Sequence, residues 1–147
     1  MIGRRVLLTT ALAAPLPARA QFAQIRAIKF PGAGGIELGG TLMLPGIAAS
    51  KRVPGVVLIA GSGPTDRDGN NPLVPERIDL LRQVAERLAE AGIASLRYDK
   101  RGIGQSTRAP NTVAGAEAFF AWENFIGDVQ LAHAELIKWE LSTQDLC

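Results

Sequence analysis

Residues 55–60 read Gly-Val-Val-Leu-Ile-Ala and pass directly into Gly61-Ser62-Gly63-Pro64-Thr65-Asp66-Arg67-Asp68-Gly69. An unbroken apolar run bounded by turn residues describes a strand buried on both faces, the kind found inside parallel α/β sheets. The Gly-Ser-Gly that follows leaves backbone N–H groups free of side-chain obstruction, so they can point at a ligand. That is the arrangement of an anion or oxyanion site.

The flanking segments supply the other elements. Residues 24–30 and 36–44 surround Pro31-Gly32-Ala33-Gly34-Gly35, a glycine-rich hairpin signal. In the second run Ile36, Leu38, Leu42 and Leu44 share one face, while Glu37, Thr41 and Met43 take the other. This alternation predicts a half-buried antiparallel strand, ended by Pro45-Gly46. Residues 76–91 predict a helix with an apolar stripe of Ile78, Leu81, Ala85 and Leu88, stopped by Gly92. Ile93 to Tyr98 is a further apolar strand. After a polar loop over 99–116, a second helix is expected over about 117–139. Its stripe is Trp122, Phe125 or Ile126, Val129, His133 and Leu136. Strands alternating with helices imply a parallel α/β sheet, here with an antiparallel hairpin at its edge.

At 147 residues the chain is about one domain long. Its first twenty residues read as a signal peptide: Arg4-Arg5, an apolar stretch from Val6 to Pro17, and Ala18-Arg19-Ala20 before Gln21. Export to the periplasm or beyond is expected, and the paired arginines also permit the twin-arginine route. A membrane helix is the weaker reading, because the apolar stretch is short and carries two prolines. Cleavage would remove three of the 16 basic residues and none of the 14 acidic ones, moving the net charge from +2 to about −1. The basic surplus therefore belongs to the leader and does not indicate nucleic acid. Residues 21–147 form the expected domain. They contain no second apolar stretch of transmembrane length, and the single Cys147 permits no internal disulfide.

Two other readings of the 61–69 loop fail. A dinucleotide fingerprint needs a third glycine where Asp66 stands, and it opens a helix at once. A calcium loop starting at Asp66 would need glycine and glutamate where Asn71 and Arg77 stand. No metal or organic cofactor is implied.

With these motifs in place, the chain resembles the N-terminal portion of the α/β-hydrolase superfamily. More narrowly, residues 61–69 resemble the loop after the third strand in bacterial esterases of the EstD-like group. Leu38-Gly39-Gly40-Thr41-Leu42 with Pro45 resembles the hairpin strand before it. Asp99-Lys100-Arg101-Gly102-Ile103-Gly104-Gln105-Ser106 resembles the D-x-R-G-x-G-x-S turn after the fourth strand. The resemblance implies a partial α/β-hydrolase fold and a serine esterase acting on small-molecule esters. It also implies a nucleophile on a G-x-S-x-G elbow, then an acid, then a histidine. No serine here has glycines two before and two after: Ser50, Ser62, Ser95, Ser106 and Ser142 all fail. The fold is thus expected to stop before the elbow, with the triad absent. The resemblance assigns the backbone N–H groups of Ser62 and Gly63 to an oxyanion hole.

Against that assignment stands a plain strand-ending turn. Gly61, Asp66 and Arg67 are candidates for substrate contact, although short acidic side chains in such a loop more often cap turns. Asp99 and Arg101 are expected to pair and fix the turn that Gly102 and Gly104 permit. His133, the chain's single histidine, is expected to pack in its helix rather than serve a triad. Trp122 and Trp139 are expected as core anchors. Besides an esterase, the sequence allows a serine aminopeptidase-like hydrolase and a truncated, non-catalytic relic that at most binds ligands.

By the same resemblance, the strand at 55–60 lies beside that at 93–98 and awaits a fifth strand on its other side. Residues 21–147 expressed alone should therefore be poorly soluble and inactive on esters, because an unpaired apolar edge templates aggregation. Light scattering and nitrophenyl ester hydrolysis test this. A monomeric, cooperatively melting product with ester turnover would defeat it.

Overall fold

The computed structural model describes residues 23–46 and 52–142, so the expected signal peptide lies outside the described residues. β1 (Gln24–Pro31) and β2 (Glu37–Leu44) form the antiparallel hairpin, with Gln24 opposite Leu44 and Pro31 opposite Glu37. Their connection is a single 3-10 turn in which Gly34 and Gly35 take φ of 74° and 77°, a left-handed region open to glycine. β3 (Gly55–Ile59), α1 (Leu80–Glu90), β4 (Ala94–Tyr98), α2 (Val113–Phe119) and α3 (Trp122–Ser142) follow.

The sheet order is β1-β2-β4-β3. β4 pairs antiparallel with β2 and parallel with β3, the parallel step being carried across by α1. β3 pairs on one side only among the described residues, so its other backbone edge is open. It is therefore not the strand buried on both faces that its apolar run predicts: Val56, Val57 and Leu58 are half-buried and Ile59 is 49% exposed.

Period-two alternation sorts the sheet into two apolar faces. Phe30, Leu38, Leu42, Leu44, Leu96 and Tyr98 pack with Ala132 and Leu136 of α3. Met43 packs with Ala85 and Ala89 of α1, and half-buried Leu58 joins them. Each buried leucine contributes roughly 1.5–3 kcal/mol against leaving it exposed. Because α1 covers the second face, β2 is not the half-buried strand that its alternation predicts. Met43 is as buried as Leu42, and only Glu37 and Thr41 keep solvent contact.

The helices depart from expectation at their ends. α1 begins at Leu80, four residues late, because the Asn70 carboxamide oxygen accepts from the Ile78 and Asp79 N–H groups at 3.1 and 3.0 Å. Those two residues are held to the preceding loop, and Ile78 is left exposed outside the helix. The expected helix 117–139 is instead two helices broken at Phe120–Ala121. Thr112 caps the first, accepting from Gly115 N–H at 3.2 Å. At its other end side chains take the free carbonyls: the Arg101 guanidinium bonds Phe119 O at 2.7 Å, and Asn124 Nδ2 bonds Ala118 O at 2.8 Å.

The largest fully buried side chain is that same Arg101. It meets Asp128 of α3 through two bonds, Nε to Oδ2 at 2.9 Å and Nη2 to Oδ1 at 2.8 Å. Nη2 also reaches Ala33 O in the hairpin turn at 3.1 Å, while Asp128 Oδ1 accepts from Ala33 N–H at 2.8 Å. Phe119 and Phe125 place their rings 5.0 and 5.7 Å from the guanidinium carbon. Asp99 and Arg101 are therefore not the pair expected, since each closes on a different partner.

Asp128 must face inward, and this sets the rotation of α3. The buried stripe is Asp128, Ala132 and Leu136, spaced four residues apart. The expected stripe was offset from it, so two further expectations fail. His133 is exposed rather than packed, and Trp122 is 71% exposed rather than a core anchor. Trp139 does pack against the core, with Arg26 over its ring.

Asp128→Ala should therefore cost about 3–5 kcal/mol, the usual effect of stranding one member of a buried ion pair. Urea unfolding followed by tryptophan fluorescence reads it out. A loss within about 0.5 kcal/mol, typical of surface changes, would contradict this account.

Candidate functional site

The segments on either side of the Gly-Ser-Gly turn are tied down by their own side chains. Asp66 Oδ1 accepts from Asp68 N–H at 3.0 Å and Asn70 N–H at 2.9 Å, closing an Asx-type turn. Gly69 completes it with φ of 91° and an N–H bond to Asp66 O. Asp68 crosses to β4, where Arg97 Nε donates to its carboxylate at 2.7 Å.

Asp99, just past β4, joins this loop to the next. Its carboxylate accepts from Arg67 N–H at 2.8 Å, from the Arg67 guanidinium at 2.7 and 3.1 Å, and from Gln105 N–H at 2.9 Å. Gly104, at φ 51°, lies so close that a Cβ there would overlap the carboxylate. Ser106 Oγ donates to Asp99 O at 2.6 Å and accepts from Gly39 N–H at 3.0 Å. The Asp99, Arg101 and Ser106 side chains of the D-x-R-G-x-G-x-S turn are thus all engaged inside the fold.

Residues 61–63 are held differently. Their carbonyls are bound: Lys100 Nζ donates to Gly61 O and, at 2.9 Å, to Gly63 O, while Thr65 Oγ1 donates to Ser62 O at 3.0 Å. Their amides are not. Among the described residues, neither the Ser62 nor the Gly63 N–H donates to any protein acceptor. A trans peptide plane that turns its carbonyl onto Lys100 or Thr65 turns its N–H the other way. Ser62 and Gly63 are both exposed, and their two donors stand on consecutive residues just past β3.

These residues border a cavity of about 860 Å³. Its wall opposite the loop is apolar: Phe120 from the helix break, and Trp122, Phe125, Ile126 and Val129 from α3. Phe120 and Phe125 stack at 6.4 Å with their planes 14° apart. Ile59, Tyr98 and Lys100 are also among its lining. Burial pushes the Tyr98 hydroxyl up to about 12, with a smaller push from the Asp128 charge. Burial also lowers the pKa of Lys100 below the ordinary lysine value.

Of the residues singled out in the sequence, Gly61, Ser62 and Gly63 line this cavity, whereas Asp66 and Arg67 do not. His133 is exposed on α3 outside it, and Ser106 is buried in its turn. Lys100 and the Phe120–Phe125 wall had no distinguishing signal in the sequence. Lys100 was one position of a longer motif, Trp122 and Phe125 read as core, and Phe120 stood outside the expected stripe. Among the described residues, no cluster of histidine, cysteine, aspartate or glutamate could hold a metal, and no helix is long and apolar enough to cross a membrane.

The sheet order, the helix on each face and the loop after β3 make this chain part of an α/β-hydrolase fold, and solved structures share it. A hypothetical protein of Pseudomonas aeruginosa superposes with a TM-score of 0.56 at 22% identity, over 91% of this chain and 36% of its own. An esterase of Pyrococcus furiosus does so with a TM-score of 0.53 at 16% identity, over 87% of this chain and 39% of its own. Acetyl xylan esterase 1 of a Thermoanaerobacterium species gives a TM-score of 0.50 at 16% identity, over 85% and 37%. The chain thus spans well under half the length of these structures. No protein-family model matches the sequence, and no curated protein matches it.

Tyr98 is the chain's single tyrosine, so its ionisation can be followed by absorbance without ambiguity. The expected midpoint is about 12 in the folded chain against 10.0 for an unperturbed phenol. The folded state keeps this proton longer than the unfolded state does. Its contribution to stability is accordingly complete below pH 10.0 and lost as pH rises toward about 12. A midpoint at the ordinary value would show that the phenol is solvated.

Proposed function

We propose that this chain supplies the oxyanion-stabilising part of a carboxylic ester hydrolase, exported from the cell and of the EstD-like esterase kind. The observation that carries the proposal is the pair of Ser62 and Gly63 amides, without acceptors among the described residues and bordering an apolar cavity. In ester hydrolysis the carbonyl oxygen becomes an anion at the tetrahedral stage. Fixed N–H donors aimed there stabilise the transition state by about 3 kcal/mol each.

The nucleophile in this scheme is a serine on a G-x-S-x-G elbow in a segment following α3, at the open edge of β3. Its Oγ attacks the ester carbonyl, and a histidine oriented by an acid takes the hydroxyl proton and returns it to the departing alcohol. Water then hydrolyses the acyl-enzyme by the same route. Ser106 does not fit the nucleophile's role, because its hydroxyl is buried and engaged by Asp99 and Gly39. His133 does not fit the base's role, being exposed and outside the cavity. The apolar wall suits an uncharged acyl group. The esterase names of two structural neighbours support the reaction class, and the matching loop at 61–69 supports the narrower group.

The test is made on the full-length gene product with nitrophenyl esters. Replacing the Gly63 amide by an ester linkage, with glycolate for glycine, removes one donor and leaves every side chain intact. It should lower kcat by roughly 10²–10³ with little change in KM. An unchanged kcat would remove the chemical basis of the proposal. Turnover of aminoacyl anilides in place of esters would move the reading to an aminopeptidase.

A further inference from the structure

Lys100 is the side chain at this site whose contacts the scheme above leaves unexplained. Its ammonium follows β4 directly and donates to the carbonyls of Gly61 and Gly63 on the neighbouring loop. Among the described residues it makes no ion pair with a carboxylate, whereas Arg67, Arg97 and Arg101 each close on an aspartate. Two of its three donors are given to main-chain oxygens, and it borders the same cavity as the loop it holds.

The consequence lies in the geometry of the peptide unit. The described residues contain no cis peptide bonds. The Gly61–Ser62 unit is therefore trans, so turning the Gly61 carbonyl onto Lys100 turns the Ser62 N–H to the opposite side. The second contact, to Gly63 O, fixes the plane between Gly63 and Pro64 and blocks rotation of the unit as a whole. Apart from Thr65 Oγ1 on Ser62 O, no other side-chain bond among the described residues reaches 61–63. The dense network around Asp66 and Asp99 starts only beyond Pro64. Gly61 and Gly63, lacking side chains, have little else to restrain them.

We propose that Lys100 is a positioning residue for the oxyanion site: by gripping the Gly61 and Gly63 carbonyls it keeps the Ser62 amide aimed at the reacting acyl oxygen. The proposal rests on the ester-hydrolase reading for its catalytic consequence, but not for the grip itself. Burial supports the role, because a partly desolvated ammonium bonds carbonyl oxygens more strongly than a solvated one does.

Two measurements test it. In the full-length product, Lys100→Met should lower kcat on nitrophenyl esters on the order of tenfold to a hundredfold, short of the loss from deleting a donor outright. KM and the urea midpoint should stay near wild type. Lys100→Arg, which can also bond two carbonyls, should recover most of the rate. In the same full-length product, the amide resonance of Ser62 should move in Lys100→Met and return toward its original position in Lys100→Arg. An unmoved Ser62 amide, or wild-type kcat in Lys100→Met, would overturn the proposal. So would a fall in kcat that tracks the urea midpoint without rescue by arginine. A wild-type enzyme that turns over no ester would instead sink the hydrolase reading, while the resonance shift still decides whether Lys100 holds the loop.

Discussion

The buried pair of Arg101 and Asp128 is the constraint from which much of the rest follows. Two charges out of water are tolerable only when nearly every donor and acceptor is matched. Here the guanidinium meets both carboxylate oxygens and three carbonyls, from Ala33, Phe119 and Asn124. Satisfying it requires three separate segments to converge: the hairpin turn, the end of α2 and the first turns of α3. Close approach is permitted by Gly32 and Gly127, where a Cβ would collide with Asp128 and Ala33 respectively. The helix break at Phe120 and the rotation of α3 are both consequences of that convergence.

The cavity is a further consequence. With Asp128, Ala132 and Leu136 turned to the sheet, Trp122, Phe125, Ile126 and Val129 are directed to the neighbouring side of α3 and become a wall. The stretch after β3 borders the same cavity, and its Ser62 and Gly63 amides have no acceptor among the described residues. The contrast along one loop is instructive. From Asp66 to Gly69 the turn is closed by its own side chains and glycines, while at 61–63 the carbonyls are bound and the N–H groups find no acceptor among the described residues. Such spare, oriented donors are the form that electrostatic stabilisation of a developing anion takes. The same loop and the D-x-R-G-x-G-x-S turn are locked to each other through Asp99, so the site rests on a rigid base.

Local patterns in the sequence were sufficient for the strands and the hairpin. The apolar run at 55–60, the alternation at 36–44 and the glycines at 34 and 35 each act over a few residues, and each marks a strand or turn within a residue or two, although neither strand has the burial its pattern predicts. Patterns failed where a distant group competed. Asn70 delays α1 by holding residues 78 and 79, Arg101 takes the carbonyl that would have continued α2, and α1 buries the face of β2 that alternation left to solvent. None of these partners lies within a helical turn of the residue it affects. Period and propensity therefore carry no trace of them.

The sequence alone determined the alternation of strands and helices, the presence of turns at 61–69 and 99–106, and the glycines at most positions of positive φ, because these depend on neighbours along the backbone. Only the tertiary structure decided that Asp99 serves Arg67 rather than Arg101, that Asp128 rather than His133 faces inward, and that Lys100 reaches across to the Gly-Ser-Gly carbonyls. A charged side chain buried in the fold takes whichever partner the assembled elements bring within about 3 Å. That distance does not exist until the sheet has formed.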